Sequence, residues 1–306
     1  MESKYYFPDR EPCCFVTMFR TQFGERQIRI AFEGLRAFGG AWKDSPICVF
    51  LIQPCEVSRP LKGIDNIIFD ELKIPAEIQG FPFTEKVAAS SQAEKQLSGG
   101  FKSMIWIDAG CLITNPPGLF ELDETVDASL RPVHIKNVGS MAANPPDPYW
   151  QYIYAASDTA LSTYTITSFC DQITLRPYFN LHCFSINPAL DFCQSWLEYF
   201  RSLVRDENFQ ANACRDEQHQ IFLHQAIFST LVVKNLNPDR IRLLPATYNY
   251  PLHLHAQIPE EQQAKFLNDL VNPVYEDEFD FPKMLNGLKV AEPLHSWLSK
   301  YKETAY

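Results

Sequence analysis

Asp108 closes an apolar run, Met104-Ile105-Trp106-Ile107, and is followed by Ala109-Gly110 and a second apolar stretch, Cys111 to Ile113, that ends in Asn-Pro-Pro. A continuous apolar run bounded by turn residues reads as a strand buried on both faces. A carboxylate where such a strand emerges stands at the ligand-binding edge of an open α/β sheet. Other residues able to do chemistry lie scattered along the chain. Asp216 and Glu217 open a helix, where the helix dipole favours acidic side chains whatever their use. His253 and His255 alternate in an expected strand, which would project both rings from one face. Two ligands alone do not make a metal site, and partly exposed tail histidines are the simpler reading. Arg131, His134 and Lys136, in LRPVHIKN, form a basic cluster that is either a solvated patch or a phosphate contact. The acid-rich stretch Tyr275 to Asp280 reads as a solvated surface turn. G-x-S-x-G, a phosphate-binding loop, G-x-G-x-x-G and H-E-x-x-H are all absent, which removes the commonest competing enzyme classes.

The elements that must position these residues alternate between strand and helix. Cys13 to Phe19 reads as a strand. Glu25 to Phe38 sets Ile28, Ala31, Phe32, Leu35 and Phe38 on one helical face and stops at Gly39-Gly40. Ile47 to Ile52 and Asn66 to Phe69 read as further strands, and Thr84 is placed to cap a helix reaching Leu97. The strand carrying Met104 follows. Ala128 to Val133 and Phe179 to Asn187 are later strand candidates. Asn187-Pro188 starts a helix bearing Phe192, Trp196, Phe200 and Leu203, and Asp216 to Val233 forms another. Alternation of this kind predicts a three-layer α/β/α fold around a mainly parallel central sheet with right-handed crossovers. We expect one domain over residues 1–306, with residues 141–178 an irregular insertion and 245–306 a wrapped C-terminal tail.

Composition narrows the function classes. The 306 residues suffice for a substantial core. With 37 acidic against 27 basic residues the net charge is −10, which argues against a general nucleic-acid binder or a protein held on anionic lipid. No segment has the length of a membrane span, and MESKYYFPDREP lacks the apolar centre of a signal peptide. Nine cysteines sit mostly inside apolar runs with no C-x-x-C pair, so buried free thiols in a cytoplasmic protein are expected.

Four segments, in order, carry a resemblance: WIDAGCLI, YFNLHCFSINP, DEQHQIFLHQAI and LPATYNYPLHLH. Together they resemble the nucleotide-diphospho-sugar transferase superfamily, whose glycosyltransferase fold is called GT-A. That pattern is a strand ending in Asp-x-Asp, an Asn-x-Gly strand, a helix opened by an acidic-Gln pair, and a Leu-Pro…Tyr-Asn segment. RPVHIKNVGS and PYWQYIY resemble a bacterial and archaeal branch of it. The resemblance runs from the first strand to about His255.

The resemblance implies a nucleoside-diphosphate sugar lying across the carboxyl ends of the strands, and transfer of its sugar to an unknown acceptor. Thr17, Met18 and Arg20 would face the base and ribose, and Lys86 would approach the donor from a helix amino terminus. Asp108 matches the first Asp of Asp-x-Asp and implies a ligand for Mn²⁺ or Mg²⁺. Gly110 stands where the second, metal-binding Asp belongs, so metal dependence is in doubt and Arg131, His134 and Lys136 become candidates to stabilise the leaving phosphate. Asn180 matches the Asn of Asn-x-Gly, while His182 replaces its glycine, where an imidazole either crowds the acceptor pocket or takes part itself, which makes His182 a candidate catalytic residue. Asp216 is the candidate base or acceptor contact, with Gln218 completing the acidic-Gln pattern. A non-catalytic sugar-nucleotide or carbohydrate binder and a sugar nucleotidyltransferase are the rival readings.

Overall fold

The computed structural model describes residues 11–19, 22–52, 57–276 and 279–302. Four strands come first: β1 (Glu11–Phe19), β2 (Ile47–Leu51), β3 (Ile67–Glu71) and β4 (Phe101–Ile107). They are parallel, with β1 paired to β2 and β4, and β2 paired to β3. Helices α1 (Gln22–Phe38), α2 (Arg59–Lys62) and α3 (Thr84–Leu97) lie in the crossovers between them. After β5 (Ala128–Pro132) come α4 (Pro148–Ala156), the hairpin of β6 (Ile166–Thr167) and β7 (Thr174–Leu175), and then β8 (Phe179–Ile186). Helices α5 (Phe192–Val204), α6 (Glu207–Asn212) and α7 (Glu217–Asn235) precede β9 (Ile241–Leu243). The tail holds β10 (Tyr248–Pro251), its partner β11 (Asn272–Val274) and α8 (Leu294–Ser299).

Seven of these strands form one sheet in the order β3-β2-β1-β4-β8-β5-β9. β8 runs antiparallel between β4 and β5, and the other pairings are parallel. Each central strand is apolar on both faces because each face is covered. Cys14 and Val16 of β1 and Met104 and Trp106 of β4 pack with Val87 of α3, Trp196 of α5 and Ile227 of α7. Their neighbours Cys13, Phe15, Ile105 and Ile107 pack on the opposite side with Ile28, Phe32 and Leu35 of α1. This period-two division of adjacent residues between two clusters is the three-layer arrangement. A third cluster joins Ile30 and Leu112 to Tyr250, Leu252, Tyr275, Leu294 and Leu298, which seats the tail against the body. The eight described cysteines are buried and free.

Local differences from the sequence reading have physical causes. Thr84 does not cap α3: its hydroxyl donates to the Ile78 carbonyl at 2.8 Å, and Phe83, with φ of 61°, occupies the cap position. Asn187 caps a single 3₁₀ turn at Pro188–Leu190, and α5 begins beyond it. Residues 141–178 include α4, started by Asp147 accepting from the Trp150 N–H, and the β6–β7 hairpin, so the segment is less irregular than its composition implied. Residues 252–257 form a 3₁₀ helix in place of the expected strand, which separates the rings of His253 and His255. Cys111 to Ile113 is an extended segment whose Cys111 bridges Val274 of the tail. Among the described residues no helix is long and apolar enough to cross a membrane.

Glu94 of α3 ties two helices together. Its fully buried carboxyl accepts from the backbone N–H groups of Cys193 and Gln194, both at 2.9 Å, at the start of α5. Burial pushes this carboxyl up to about 7 despite those N–H donors. A carboxyl held higher in the folded state than its ordinary 4.5 takes up a proton on folding between those values. Its contribution to stability is therefore greatest at low pH and declines as pH rises toward about 7. Urea unfolding should show the stability of wild type relative to Glu94→Gln falling between about pH 5 and about pH 8. An unchanged difference would show that Glu94 has the same protonation state in folded and unfolded chains.

Candidate active site

The carboxyl ends of β4 and β5 open into a cavity of about 490 Å³. Asp108 stands immediately after β4, Lys86 lies in the first turn of α3, and His182 lies on β8. The antiparallel register of β8, which sets Cys183 beside Ile107, brings His182 to Asp108, and the Asp108 N–H donates to the His182 carbonyl at 2.8 Å. Val133 and His134, just beyond β5, form another wall. Ile221, Phe222, His224 and Gln225 of α7 close one side, while His253, Leu254 and Glu276 reach in from the tail.

Charge is concentrated at Asp108. Its Oδ2 lies 2.6 Å from Lys86 Nζ and 3.1 Å from His182 Nδ1, and its Oδ1 accepts from Trp106 Nε1 at 2.7 Å. Burial works to raise this carboxyl, but the Lys86 charge and the His182 hydrogen bond outweigh it and hold it at about 2. The opposite ring nitrogen, His182 Nε2, lies 2.9 Å from Glu276 Oε1. Burial would lower His182, yet its bonds to Asp108 and Glu276 raise it to about 9. Glu276 is held below its ordinary value: burial opposes ionisation, and the His182 bond together with the His182 and His253 charges overcome it.

Lys86 is almost wholly buried and also donates to the Leu181 carbonyl at 3.2 Å. His134 donates through Nε2 to the Asn249 carbonyl at 2.7 Å, and burial, with the neighbouring His182 charge, pushes it well below its usual value. His224 donates through Nδ1 to the Ile221 carbonyl at 2.9 Å and is pushed down to about 3 by burial and then by the Lys86 charge. Both rings are therefore neutral near pH 7. Phe83 stacks on His224 with ring centres 4.1 Å apart and remains partly exposed at the cavity wall.

The structure gathers some of the expected residues and disperses others. Lys86, Asp108, Gly110, His134, Asn180 and His182 line the cavity. Asn180 accepts the His182 N–H on its side-chain oxygen at 2.9 Å, which fixes the turn of chain that presents His182. Thr17 is buried within β1 opposite Val49, Met18 packs partly buried against the core, and neither lines the cavity. Arg20 lies outside the described residues.

The expected basic cluster does not converge. Arg131 is buried with its guanidinium 4.4 Å from the centre of the Phe169 ring, and Nη1 donates to the Leu244 carbonyl at 3.4 Å. Lys136 bonds the Asn137 carbonyl beside it, so of the three only His134 faces the cavity. Asp216 is the N-cap of α7. Its Oδ1 accepts from the His219 N–H at 3.0 Å, and its Oδ2 lies 2.6 Å from His219 Nδ1. Gln218 is exposed on the following turn, and neither residue lines the cavity.

Glu276, His224, Gln225 and Phe83 are among the cavity residues that the sequence reading did not single out. Glu276 sits within the acid-rich stretch read as a surface turn, and that reading fails for it. Ile221, His224 and Gln225 fall four, seven and eight residues after Glu217, the spacing of one helical face, so the α7 contribution was open to detection. Phe83 carries no sequence signal.

Gly110 explains how Glu276 arrives. A Cβ at position 110 would lie 2.9 Å from the Glu276 carbonyl oxygen and 3.1 Å from its Cα, so the tail backbone occupies the space of any side chain there. The Tyr275 N–H donates to the Gly110 carbonyl at 2.9 Å. A divalent cation shared between residues 108 and 110 does not fit this donor set. Both Asp108 oxygens already accept from side-chain N–H groups, and residue 110 offers no oxygen side chain. Among the described residues, no group of three or more His, Cys, Asp or Glu is placed to hold a metal ion.

The family model described as Rhodobacterales glycosyltransferase domain matches residues 51–236, more than half of the chain. The chain belongs to this glycosyltransferase family. The matched span contains α3, β4, β8 and all of α7, and therefore Lys86, Asp108, His182 and His224. Solved structures agree on the architecture. The galactosyltransferase LgtC, determined with donor and acceptor sugar analogues, aligns with a TM-score of 0.53 and 12% identity over 96% of this chain and 97% of its own. The apo form of the bifunctional glycosyltransferase WbbM aligns with a TM-score of 0.52 and 13% identity over 97% of this chain and 52% of its own. At such identities the likeness establishes the fold, GT-A, and no more. Curated proteins give no match to the sequence.

The ion pairs give this glycosyltransferase a defined pH response. His182 is held at about 9 in the folded chain against an ordinary 6.5, so its stabilising contribution is complete below the lower value and lost as pH rises through the higher. In chemical denaturation, the stability of wild type relative to His182→Gln should be largest near about pH 6 and shrink toward about pH 10. A difference that stays constant across that range would mean that His182 holds its proton no more tightly in the folded chain than in the unfolded one.

Proposed function

We propose that this glycosyltransferase binds a nucleoside-diphosphate sugar in the cavity at the end of β4 and transfers the sugar to an acceptor hydroxyl. One observation carries the reading: Lys86 and His182 meet Asp108 in a cavity of about 490 Å³ at the carboxyl edge of a GT-A sheet. That volume is in the range of small-molecule sites, and this edge is where open α/β sheets bind ligands. The structure of LgtC with donor and acceptor sugar analogues supports a two-substrate site on the same fold.

Transfer breaks the bond between the anomeric carbon and the diphosphate oxygen, and the electron pair leaves with that oxygen. An acceptor hydroxyl oxygen bonds to the carbon in its place, and its proton passes to the departing diphosphate or to water. The developing negative charge falls on the diphosphate, so fixed N–H donors in a site of low dielectric are what the reaction needs. Lys86 offers such a donor. An ammonium has three N–H groups, and two are engaged by Asp108 and Leu181. The first turn of α3 adds its helix dipole in the same direction. Phe83 and the α7 residues Phe222 and Gln225 give an apolar wall and an amide suited to the face and hydroxyls of a sugar.

A thermal-shift series with UDP-, GDP-, ADP- and CMP-sugars tests the reading. One donor class should raise the melting temperature, and further with each tenfold increase in its concentration. With that donor, release of the nucleotide product should depend on an added acceptor. A shift without turnover, across a broad acceptor panel, would favour a non-catalytic sugar-nucleotide binder. Release of pyrophosphate from a nucleoside triphosphate and a sugar phosphate would replace transfer by nucleotidyl transfer.

A further inference from the structure

The wrapped tail returns a second carboxylate to the site by a route that Asp-x-Asp does not use. Glu276, with φ of 61°, rests its backbone on Gly110 and extends its side chain to His182. His182 lies between two acids, with Nδ1 3.1 Å from Asp108 Oδ2 and Nε2 2.9 Å from Glu276 Oε1. Ionised carboxylates only accept hydrogen bonds, so both ring nitrogens must donate and the ring is an imidazolium. Lys86 adds a second cation 2.6 Å from Asp108 Oδ2. The cluster thus holds two negative and two positive charges. Two carboxylates around a divalent cation have the same balance, but here the positive charge is fixed to β8 and α3.

The four groups differ in their contact with solvent. The Lys86 side chain is 3% exposed, Asp108 17%, His182 25% and Glu276 40%. Lys86 and Asp108 are locked together, whereas Glu276 is the outermost partner and the one an incoming anion can displace. His253 Nε2, 3.4 Å from Glu276 Oε1, gives that carboxylate a second cationic neighbour when protonated.

Building on the donor reading above, we propose that Lys86 and His182 supply the positive charge for the donor diphosphate without a divalent cation, and that Glu276 is an exchangeable counter-ion. On donor binding the diphosphate takes the place of the Glu276 carboxylate at His182 Nε2–H, and the remaining N–H of Lys86 points to the same anion. The exchange keeps the charge of the cluster satisfied before and after binding. In this arrangement Glu276 competes with the substrate, the opposite of what a metal-binding carboxylate does.

That opposition supplies the test. Binding of UDP, GDP, ADP and CMP and of their sugars is measured by titration calorimetry in EDTA and again in Mn²⁺, for wild type, Glu276→Gln and Lys86→Met. The expected results are equal affinity in both conditions, binding several-fold tighter for Glu276→Gln, and binding at least about tenfold weaker for Lys86→Met. Should Lys86→Met fail to fold, Lys86→Met/Asp108→Asn removes both charges of the pair and serves in the same comparison. Binding that requires Mn²⁺, or that weakens in Glu276→Gln, overturns the counter-ion proposal and leaves the donor reading standing. No binding by wild type to any probe in either condition overturns the donor reading itself, and this proposal with it.

Discussion

The ion pair between Lys86 and Asp108 is the interaction on which the site depends. Both charges sit at the end of a central strand, with the Lys86 side chain almost sealed from water. Burying either charge alone is severely unfavourable, and removing one partner of such a pair typically costs about 3–5 kcal/mol. The surrounding hydrogen bonds follow from that pressure. Trp106 supplies a donor to the second Asp108 oxygen, and the Leu181 carbonyl takes another Lys86 proton. The position of α3 is coupled to β4 by this contact as well as by the apolar side chains beneath it.

The antiparallel strand β8 turns a buried ion pair into a cavity wall. A parallel strand in that place would reach the sheet edge with its carboxyl end. β8 instead arrives with its amino-terminal half, so Asn180 and His182 come from the start of a strand and face Asp108 from the side opposite α3. The tail is then held over the opening by buried amides. Asn249, in the left-handed conformation, donates through its side-chain amide to the Cys183 carbonyl of β8 and accepts from the His134 ring on its own backbone carbonyl. Its own N–H goes to Asn272, whose side chain donates to the Leu112 carbonyl. The Tyr-Asn segment is therefore a clamp between the tail, β8 and the loop after β4, and it fixes where Glu276 can reach.

The sheet and its crossovers were legible because their signals are local. Apolar runs located β1, β2 and β4, and α3 spans Thr84–Leu97, the bounds read from the sequence, although Thr84 is not the cap that reading made it. Asp108 was legible for the same reason, since a strand end places its residue at a known edge, whereas Lys86 was singled out by the family resemblance. Asp216 shows the limit of that reasoning. A carboxylate at a helix start is used first by the helix, and its oxygens are taken by His219. Arg131 shows another limit: a basic residue on a buried strand turned its guanidinium onto Phe169, out of the cavity, a choice set by packing partners distant in sequence. Glu276 depended on a contact with Gly110, and nothing in its own neighbourhood distinguishes it from a surface acid.

Gly110 and Glu276 are one structural feature. The space that a side chain at 110 would fill is taken by the backbone of the residue that brings a second carboxylate to the site. An aspartate at 110 with the tail in place would force atoms within about 3 Å of one another, closer than real Cβ contacts, so the two arrangements exclude each other. The consequence reaches the electrostatics. A carboxylate fixed beside Asp108 on the same loop would be held close to the first acid and need a cation between them. One carried by the tail is set apart from Asp108 by the width of an imidazole, which bridges both acids through its two nitrogens. His182 is the residue that this bridge requires. The residues at 110 and 182 thus belong to a single arrangement of charge around Asp108.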